Sequence, residues 1–427
     1  MHNSHLNTMK KAKSCLFLVL GLLIVSSSSM DAKKKSAYHT GNYRNLLKEA
    51  GYKQKDIDKK VNDVYAALFE SKGDHQIYFE VGDSMGYVSD VKNRDARTEG
   101  LSYGLMVAVQ LNKKDVFDRI WRWSKKYAQH QDGPSKGYFA WSIEPKSGRM
   151  NSSGSASDGE LYFVTALLFA SNRWGNDTGI NYYKEARFIL DNMWAKDGTN
   201  GIMPFINMEH KQINFTPDRG GNGYTDPSYH LPAFFEIWAE YAKDGHEQFY
   251  RDCADSSRAY LQRTVDPITG LNAERSQYSG APQGRNTLFG FDSWRVPMNI
   301  TMDYLWYGKD KAFQTDYANR IQKFFRSQGV ETFLDQYNMD GTTPTRPMSA
   351  TNYKKMKHSI GLVTTVTATQ LINGKKGNLD FVNHLWTLKH EPYDDGYFDA
   401  YYDGLLYLFG LMHLSGKYQI ITPDFHK

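Results

Sequence analysis

Five side chains able to hold or move a proton recur along this chain at near-regular intervals. They are Glu99, Asp158, Tyr229, Asp292 and His358, separated by 59, 71, 63 and 66 residues. Each stands where a polar loop gives way to an apolar run, and Thr98-Glu99-Gly100-Leu101-Ser102-Tyr103-Gly104-Leu105-Met106-Val107-Ala108-Val109 is the clearest case. A carboxylate at the mouth of a helix that is apolar on every side is costly to ionise. Two acids facing each other across a bound molecule are the equipment of acid–base hydrolysis, one giving a proton to the leaving oxygen and the other activating water. Glu99 is the candidate donor, although a helix N-terminus favours the ionised form and burial must outweigh that. Asp292 is the candidate base, with Arg295 one turn on to orient it.

Each candidate also has a plainer reading. Glu99 could be a first-turn helix stabiliser, and Asp292 and Asp158 could be helix caps. Glu160 lies close enough to Asp158 to confuse which acid matters. The Tyr229 hydroxyl could position a water or simply pack, and His358 alone suits a satisfied core or loop histidine. Cys253 reads as a core thiol. The thirteen histidines show no metal-binding spacing. Gly220-Gly221-Asn222-Gly223 follows no strand and so is no phosphate cradle. The segment 335–341 lacks the spacing of a calcium loop.

The elements that must position these groups read as twelve helices of two alternating kinds. Segments 56–70, 114–128, 181–195, 246–262, 312–326 and 377–388 are amphipathic. Segments 99–111, 159–171, 230–241, 293–306, 359–372 and 398–414 are apolar nearly all round. Six half-exposed helices alternating with six buried ones predict an all-α fold of two concentric rings, an (α/α)6 barrel of six inner and six outer helices. A solenoid should show repeat self-similarity, which is absent. No Pro/Gly/Ser-rich linker divides the chain, so one catalytic domain is expected over 39–420. The candidate residues then collect at one end of the inner ring. Loops 131–157, 201–228 and 264–291 join them there with Tyr138, Phe139, Trp141, Phe205 and Tyr224. Carboxylates and aromatic rings together compose a carbohydrate cleft.

Residues 1–29 read as a secretory signal: Lys10, Lys11 and Lys13, an apolar run from Leu16 to Val25, then Ser26 to Ser29. Residues 30–38 read as a flexible tail. Removing the signal takes three positive charges from the formal +5 and leaves about +2, with nothing to attract nucleic acid. No membrane partner is expected after that removal. Cys253 would be the sole remaining cysteine, so no intrachain disulfide can form. The expected setting is export, to the periplasm or beyond.

Four segments, in order, resemble glycoside hydrolase family 8 over about residues 38–418: Arg97-Thr98-Glu99-Gly100-Leu101-Ser102-Tyr103-Gly104-Leu105-Met106, Ser157-Asp158-Gly159-Glu160, Thr225-Asp226-Pro227-Ser228-Tyr229 and Asp292-Ser293-Trp294-Arg295. The resemblance implies an (α/α)6 barrel that inverts at the anomeric carbon of β-1,4-linked glycans. It makes Glu99 the general acid, Asp292 the general base, Asp158 a third carboxylate gripping the sugar, and Tyr229 the group that holds the water. Trp141, Tyr224, Arg295 and His358 become the substrate-binding candidates. No metal or organic cofactor is implied, and a monomer acting on xylo-oligosaccharides is expected. Phe139-Ala140-Trp141-Ser142 and Asp226-Pro227-Ser228-Tyr229-His230-Leu231-Pro232 look closest to the reducing-end xylose-releasing exo-oligoxylanases, as does the placement of His358. In that subgroup a loop carrying this histidine closes the cleft beyond one leaving-group sugar. Here the loop reads Lys357-His358-Ser359 where the subgroup has Leu-His-Pro, which loosens the backbone restraint. Endo-acting hydrolysis on the same scaffold is the alternative. A sugar-binding protein without catalysis is a second, and a polysaccharide lyase a third that the acid-rich helix starts argue against.

Overall fold

A computed structural model describes residues 36–285, 287–348 and 353–423. The signal segment 1–29 and residues 30–35 of the expected tail lie outside the described residues. The end of that tail is not loose: Ser36 and Ala37 are buried and open a short helix, Ala37–Thr40.

The two kinds of helix stand where the hydrophobic pattern puts them. The inner set is Thr98–Gln110, Ser157–Trp174, Pro232–Tyr241, Val296–Trp306, Ile360–Ala368 and Tyr402–Leu414. Every residue from 157 to 170, and every one from 402 to 414, is buried. The outer set is Gln54–Phe69, Lys114–Tyr127, Tyr182–Trp194, Glu247–Thr264, Lys311–Ser327 and Asp380–Thr387, each with one buried face. Inner helices pack on their neighbours around an axis filled by aromatic rings. Tyr103 meets Phe409 at 5.1 Å, Tyr162 meets Phe234 at 4.8 Å, and Phe169 meets Trp306 at 5.9 Å between centroids. The molecule is an (α/α)6 barrel. The aromatic excess goes mainly into this core, where Trp121, Trp123, Trp238 and Trp306 are fully buried. No helix among the described residues is long and apolar enough to cross a membrane.

Two glycines bring the inner helices close enough for the acids to meet. A Cβ on Gly159 would lie 2.6 Å from Cβ of Thr98, so only glycine lets the starts of these two helices touch. Gly100 is covered by the Tyr401 ring in the same way, which draws the last inner helix onto the first. Each glycine directly follows a candidate acid.

Short strands, absent from the helical reading, decorate the open end. Tyr78–Val81 pairs antiparallel with Met85–Val88, Ala96–Arg97 with Ser142–Glu144, and Ser142–Glu144 in turn with Arg149–Ser152. The second sheet matters to the site, because it fixes the backbone immediately before Glu99 against the loop that carries Trp141.

Candidate active site

Arg295 is the hub of the open end. It lies in the 3-10 turn Phe291–Arg295 that leads into Val296–Trp306, with Pro297 set in the first helical turn. Its Nη1 donates to Glu99 Oε2 at 3.1 Å, to Asp158 Oδ2 at 2.9 Å and to Tyr103 Oη at 3.0 Å. Its Nη2 donates to Asp292 Oδ1 at 2.7 Å. Terminal nitrogens of one planar guanidinium stand about 2.3 Å apart. The bonded oxygens of Glu99 and Asp292 are therefore separated by no more than about 8 Å, a bound that admits the roughly 6.5–9.5 Å of an inverting pair. Both acids serve one compartment.

The three acids differ in access. Their side chains are 16% (Glu99), 6% (Asp158) and 31% (Asp292) exposed, while Arg295 at 3% lies beneath them. Burial raises the Glu99 pKa to about 7; Arg295 opposes the rise, and Asp158 and Asp292 add to it. A carboxyl in this range still carries its proton near neutrality and can give it up, as a general acid must. The Asp158 pKa is raised as well, by burial against the pull of Arg295. Two further carboxyls stand near Asp292. Burial and the charge of Asp292 lift Asp226 to about 8 and Glu274 to about 9, so both are neutral near pH 7. Asp226 accepts from Ser228 N at 2.8 Å and Ser228 Oγ at 2.6 Å, which shapes the turn Pro227–Tyr229 and presents Tyr229.

Backbone strain sits beside Asp292. Phe291 has φ +30°, outside the comfortable range for a side-chain-bearing residue, and Tyr402 Oη donates to its carbonyl at 2.9 Å. Such a conformation costs about 1–3 kcal/mol and persists where its surroundings fix it.

Two cavities flank the Glu99–Asp292 pair, and both acids line each of them. The larger, of about 420 Å³, is walled by Trp141, Asp158, Phe215, Tyr229 and Arg275. Phe215 stacks on Tyr229 at 5.7 Å, and the Arg275 guanidinium covers Phe215 at 4.1 Å. The smaller, of about 190 Å³, is walled by Asp90, Lys92, Arg97, Tyr397, Asp399 and Tyr401. Flat rings with a carboxylate on one side, and charged groups around a small chamber on the other, suit sugars of two kinds of occupancy.

Four of the five regularly spaced candidates therefore meet: Glu99, Asp158, Tyr229 and Asp292. His358 does not. Its Nδ1 donates to Phe333 O at 2.7 Å and its Nε2 accepts from His384 Nε2 at 2.8 Å. Burial lowers the pKa of both histidines, in keeping with a neutral pair. His358 lines neither cavity beside the acids, but a separate groove with Lys357, Tyr393 and Asp395. The residues on either side of it are held elsewhere: Ser359 caps Ile360–Ala368 through Leu362 N and donates to Asp403 at 2.6 Å, bonds no proline could make, while Lys357 pairs with Asp395. Arg295 lies beneath the acids and bonds Asp292, the partner expected from its place one turn on, together with Glu99 and Asp158. Tyr224 stands one ring behind the wall, stacked on Phe215 at 5.2 Å. Tyr138, Phe139 and Phe205 are fully buried, leaving Trp141 as the cleft ring among the predicted loop aromatics. Glu160 is resolved as structural: it is fully buried and accepts from Phe139 N at 3.0 Å.

Tyr401, absent from the sequence reading, donates from Oη to Glu99 Oε1 at 2.9 Å. A signal for it existed: six inner helices imply six starts, and only five were filled. Lys92, Phe215, Arg275 and Glu274 lie in loops where no periodicity marks them. Among the described residues no cluster of His, Cys, Asp or Glu could hold a metal ion.

The profile of Glycosyl hydrolases family 8 matches residues 84–415. A reducing end xylose-releasing exo-oligoxylanase of Halalkalibacterium halodurans is 38% identical over 404 residues, covering 92% of this chain and 98% of that protein. The reducing-end xylose-releasing exo-oligoxylanase Rex8A of Paenibacillus barcinonensis is 36% identical over 397 residues, covering 92% and 100%. A solved structure of a Rex8A variant complexed with 3(3)-alpha-L-arabinofuranosyl-xylotetraose superimposes with a TM-score of 0.82 at 36% identity, covering 91% of this chain and 99% of that one.

Proposed function

This chain belongs to glycosyl hydrolase family 8, and on that footing we propose that it releases xylose from the reducing end of β-1,4-xylo-oligosaccharides with inversion. The similarity to two reducing-end xylose-releasing enzymes over nine-tenths of the chain supports the substrate class. The observation that carries the mode of attack is the asymmetry of the two cavities around one acid pair.

In this reading the sugar that receives the water lies in the larger cavity. Asp158 grips it, Tyr229 and Asp292 hold the water on its far face, and Trp141 and Phe215 cover sugars farther along. Glu99 gives its proton to the glycosidic oxygen where the two cavities join, and Asp292 takes the proton of the attacking water. Atoms and protons balance: one water is consumed, one proton enters the leaving oxygen and one leaves the nucleophile. The leaving group occupies a chamber of about 190 Å³, below the roughly 300 Å³ at which pockets for larger ligands begin. One pyranose is the occupant that suits it. No cofactor enters. Export to the periplasm or the medium belongs to the same proposal and rests on residues 1–29.

Xylotriose and its borohydride-reduced alditol test the proposal, with the product anomer followed by NMR. Xylotriose should be cut to xylobiose and xylose, with the new reducing end appearing first as the α-anomer, and the alditol should be spared. Equal cleavage of both substrates would favour the endo-acting alternative.

A further inference from the structure

His358 is turned away from the acids and does not line the leaving-group chamber, whose described walls include Lys92 and Tyr397. The chamber of about 190 Å³ beside Glu99 and an outer groove of about 490 Å³ have two residues in common, Lys92 and Tyr397. The Lys92 Nζ lies 3.3 Å from the centroid of the Tyr397 ring. Side chain on ring, the pair forms the partition between the chamber and the groove. Tyr397 is held in place by the Tyr353 ring at 5.1 Å, edge on, and its backbone N–H donates to Asp395 Oδ1 at 3.2 Å. The partition thus has a firm back.

Lys92 has a second property that a simple plug would not need. Its Nζ is shielded from solvent yet makes no hydrogen bond to any described residue. An ammonium carries three donors, and leaving them unused away from water is costly, so a buried one ordinarily has partners. Burial pushes its pKa down, while Asp399 and Asp90 hold it up. Asp399 and Asp90 line the same chamber, so a hydroxylated ring entering there would meet donors from Lys92 and acceptors from the two acids.

We propose that Lys92, stacked on Tyr397, is the end wall of the leaving-group site and that its ammonium donates to the free anomeric hydroxyl of a reducing-end pyranose. A sugar attached at that hydroxyl would have to pass through the Lys92–Tyr397 partition. An open-chain alditol would present its terminal hydroxyl in no fixed direction. The inference rests on the reducing-end reading above and names the residues of this chain that enforce it.

Wild type, Lys92→Ala and Lys92→Met are compared on xylotriose, its alditol and xylotetraose, with folding checked by near-UV circular dichroism and melting. Wild type alone tests the parent reading, because cleavage of the alditol as fast as xylotriose would remove it whatever the variants do. Given selective wild type, Lys92→Ala should open the partition. Its rate on the alditol relative to xylotriose should rise at least about tenfold, the scale of discrimination a steric pocket provides, and xylotetraose should begin to yield two xylobioses. Lys92→Met keeps the bulk and removes the donors. It should still spare the alditol while KM for xylotriose rises severalfold. A folded Lys92→Ala with unchanged selectivity overturns the wall, and a folded Lys92→Met with unchanged KM overturns the donor. Should Lys92→Ala fail to fold, Tyr397→Leu takes its place, with the same selectivity change expected and the same null result decisive.

Discussion

Tyr401→Phe isolates the group that trims the acidity of Glu99. The substitution deletes one hydroxyl and nothing else from a ring that is already packed over Gly100. In the intact protein that hydroxyl donates to Glu99 Oε1 at 2.9 Å, which favours the carboxylate and lowers its pKa. A hydrogen bond to a charged group is worth about 1.5–3 kcal/mol, and one pKa unit corresponds to about 1.4 kcal/mol. The pull of Tyr401 is smaller than that of Arg295 and smaller than the push of Asp158 and Asp292, so the lower end applies. Losing it should raise the Glu99 pKa by roughly one unit from about 7. The alkaline limb of kcat/KM reports loss of the acid's proton in the free enzyme. Measured on xylotriose from pH 4 to 10 by xylose release, that limb should move up by about one pH unit. The maximal rate should fall, because Glu99 is held by one bond fewer and is a weaker acid. An alkaline limb that stays in place, or moves down, would refute the assignment of Glu99 as the acid that sets it.

Two further outcomes follow from the same charges. Arg295→Lys keeps a cation but cannot bridge Glu99, Asp158 and Asp292 through two nitrogens; kcat should fall about 10²-fold through misplacement of the acids, with the far-UV circular dichroism of the barrel preserved. Glu160 is pushed by burial to about 8 from 4.5, so below pH 4.5 it is neutral folded or unfolded, and between there and about 8 only the unfolded chain sheds the proton. Stability must therefore fall as pH rises through that window, and Glu160→Gln should flatten the decline in melting temperature between pH 5 and 8 by removing up to about 1.4 kcal/mol per pH unit. Parallel pH–melting curves would contradict this.

The barrel was legible because its alternation is a burial pattern, and burial is what hydrophobic sequence records. The starts of the outer and inner helices fall within a few residues of the expected positions; even the last inner helix, read over 398–414, begins at Tyr402 with its approach coiled. The acids were legible for a related reason: a charge against an apolar run is conspicuous, and ring closure turns regular spacing into proximity. What could not be read is which way a loop side chain turns. His358 sits at the expected helix start, yet it turns toward Phe333 and His384, and Ser359 and Lys357 on either side of it have partners elsewhere. Those partners, Asp403 and Asp395, lie more than thirty residues on and belong to no local pattern. Arg275, on the wall of the larger cavity, and Lys92, on that of the smaller, are invisible for the same reason: one basic residue in a loop has no period.

The opposition between helix dipole and burial at Glu99 can now be decided by magnitude. A helix N-terminus favours a carboxylate by about 0.3–1 kcal/mol, or about 2 kcal/mol in the best partly buried cases. Displacement of Glu99 from 4.5 to about 7 corresponds to roughly 3 kcal/mol the other way, and it is reached even though the Arg295 guanidinium pulls against it. The surplus comes first from burial and then from the neighbouring acids. Glu99, Asp158, Asp226 and Asp292 surround the covered Arg295, Glu274 faces Arg275, and Arg97 stands at the cavity wall. Five carboxylates crowded at a largely buried site are not fully offset by these guanidiniums, so protons make up part of the difference. Asp226 and Glu274 take theirs because they are buried without a bond to Arg295, which Glu99, Asp158 and Asp292 each have, and neither lines the two cavities. Glu99 lines both, and it keeps a proton it can still give away. The helix on which Glu99 stands supplies its position, while burial and the neighbouring acids supply the retained proton that the proposed donor role needs.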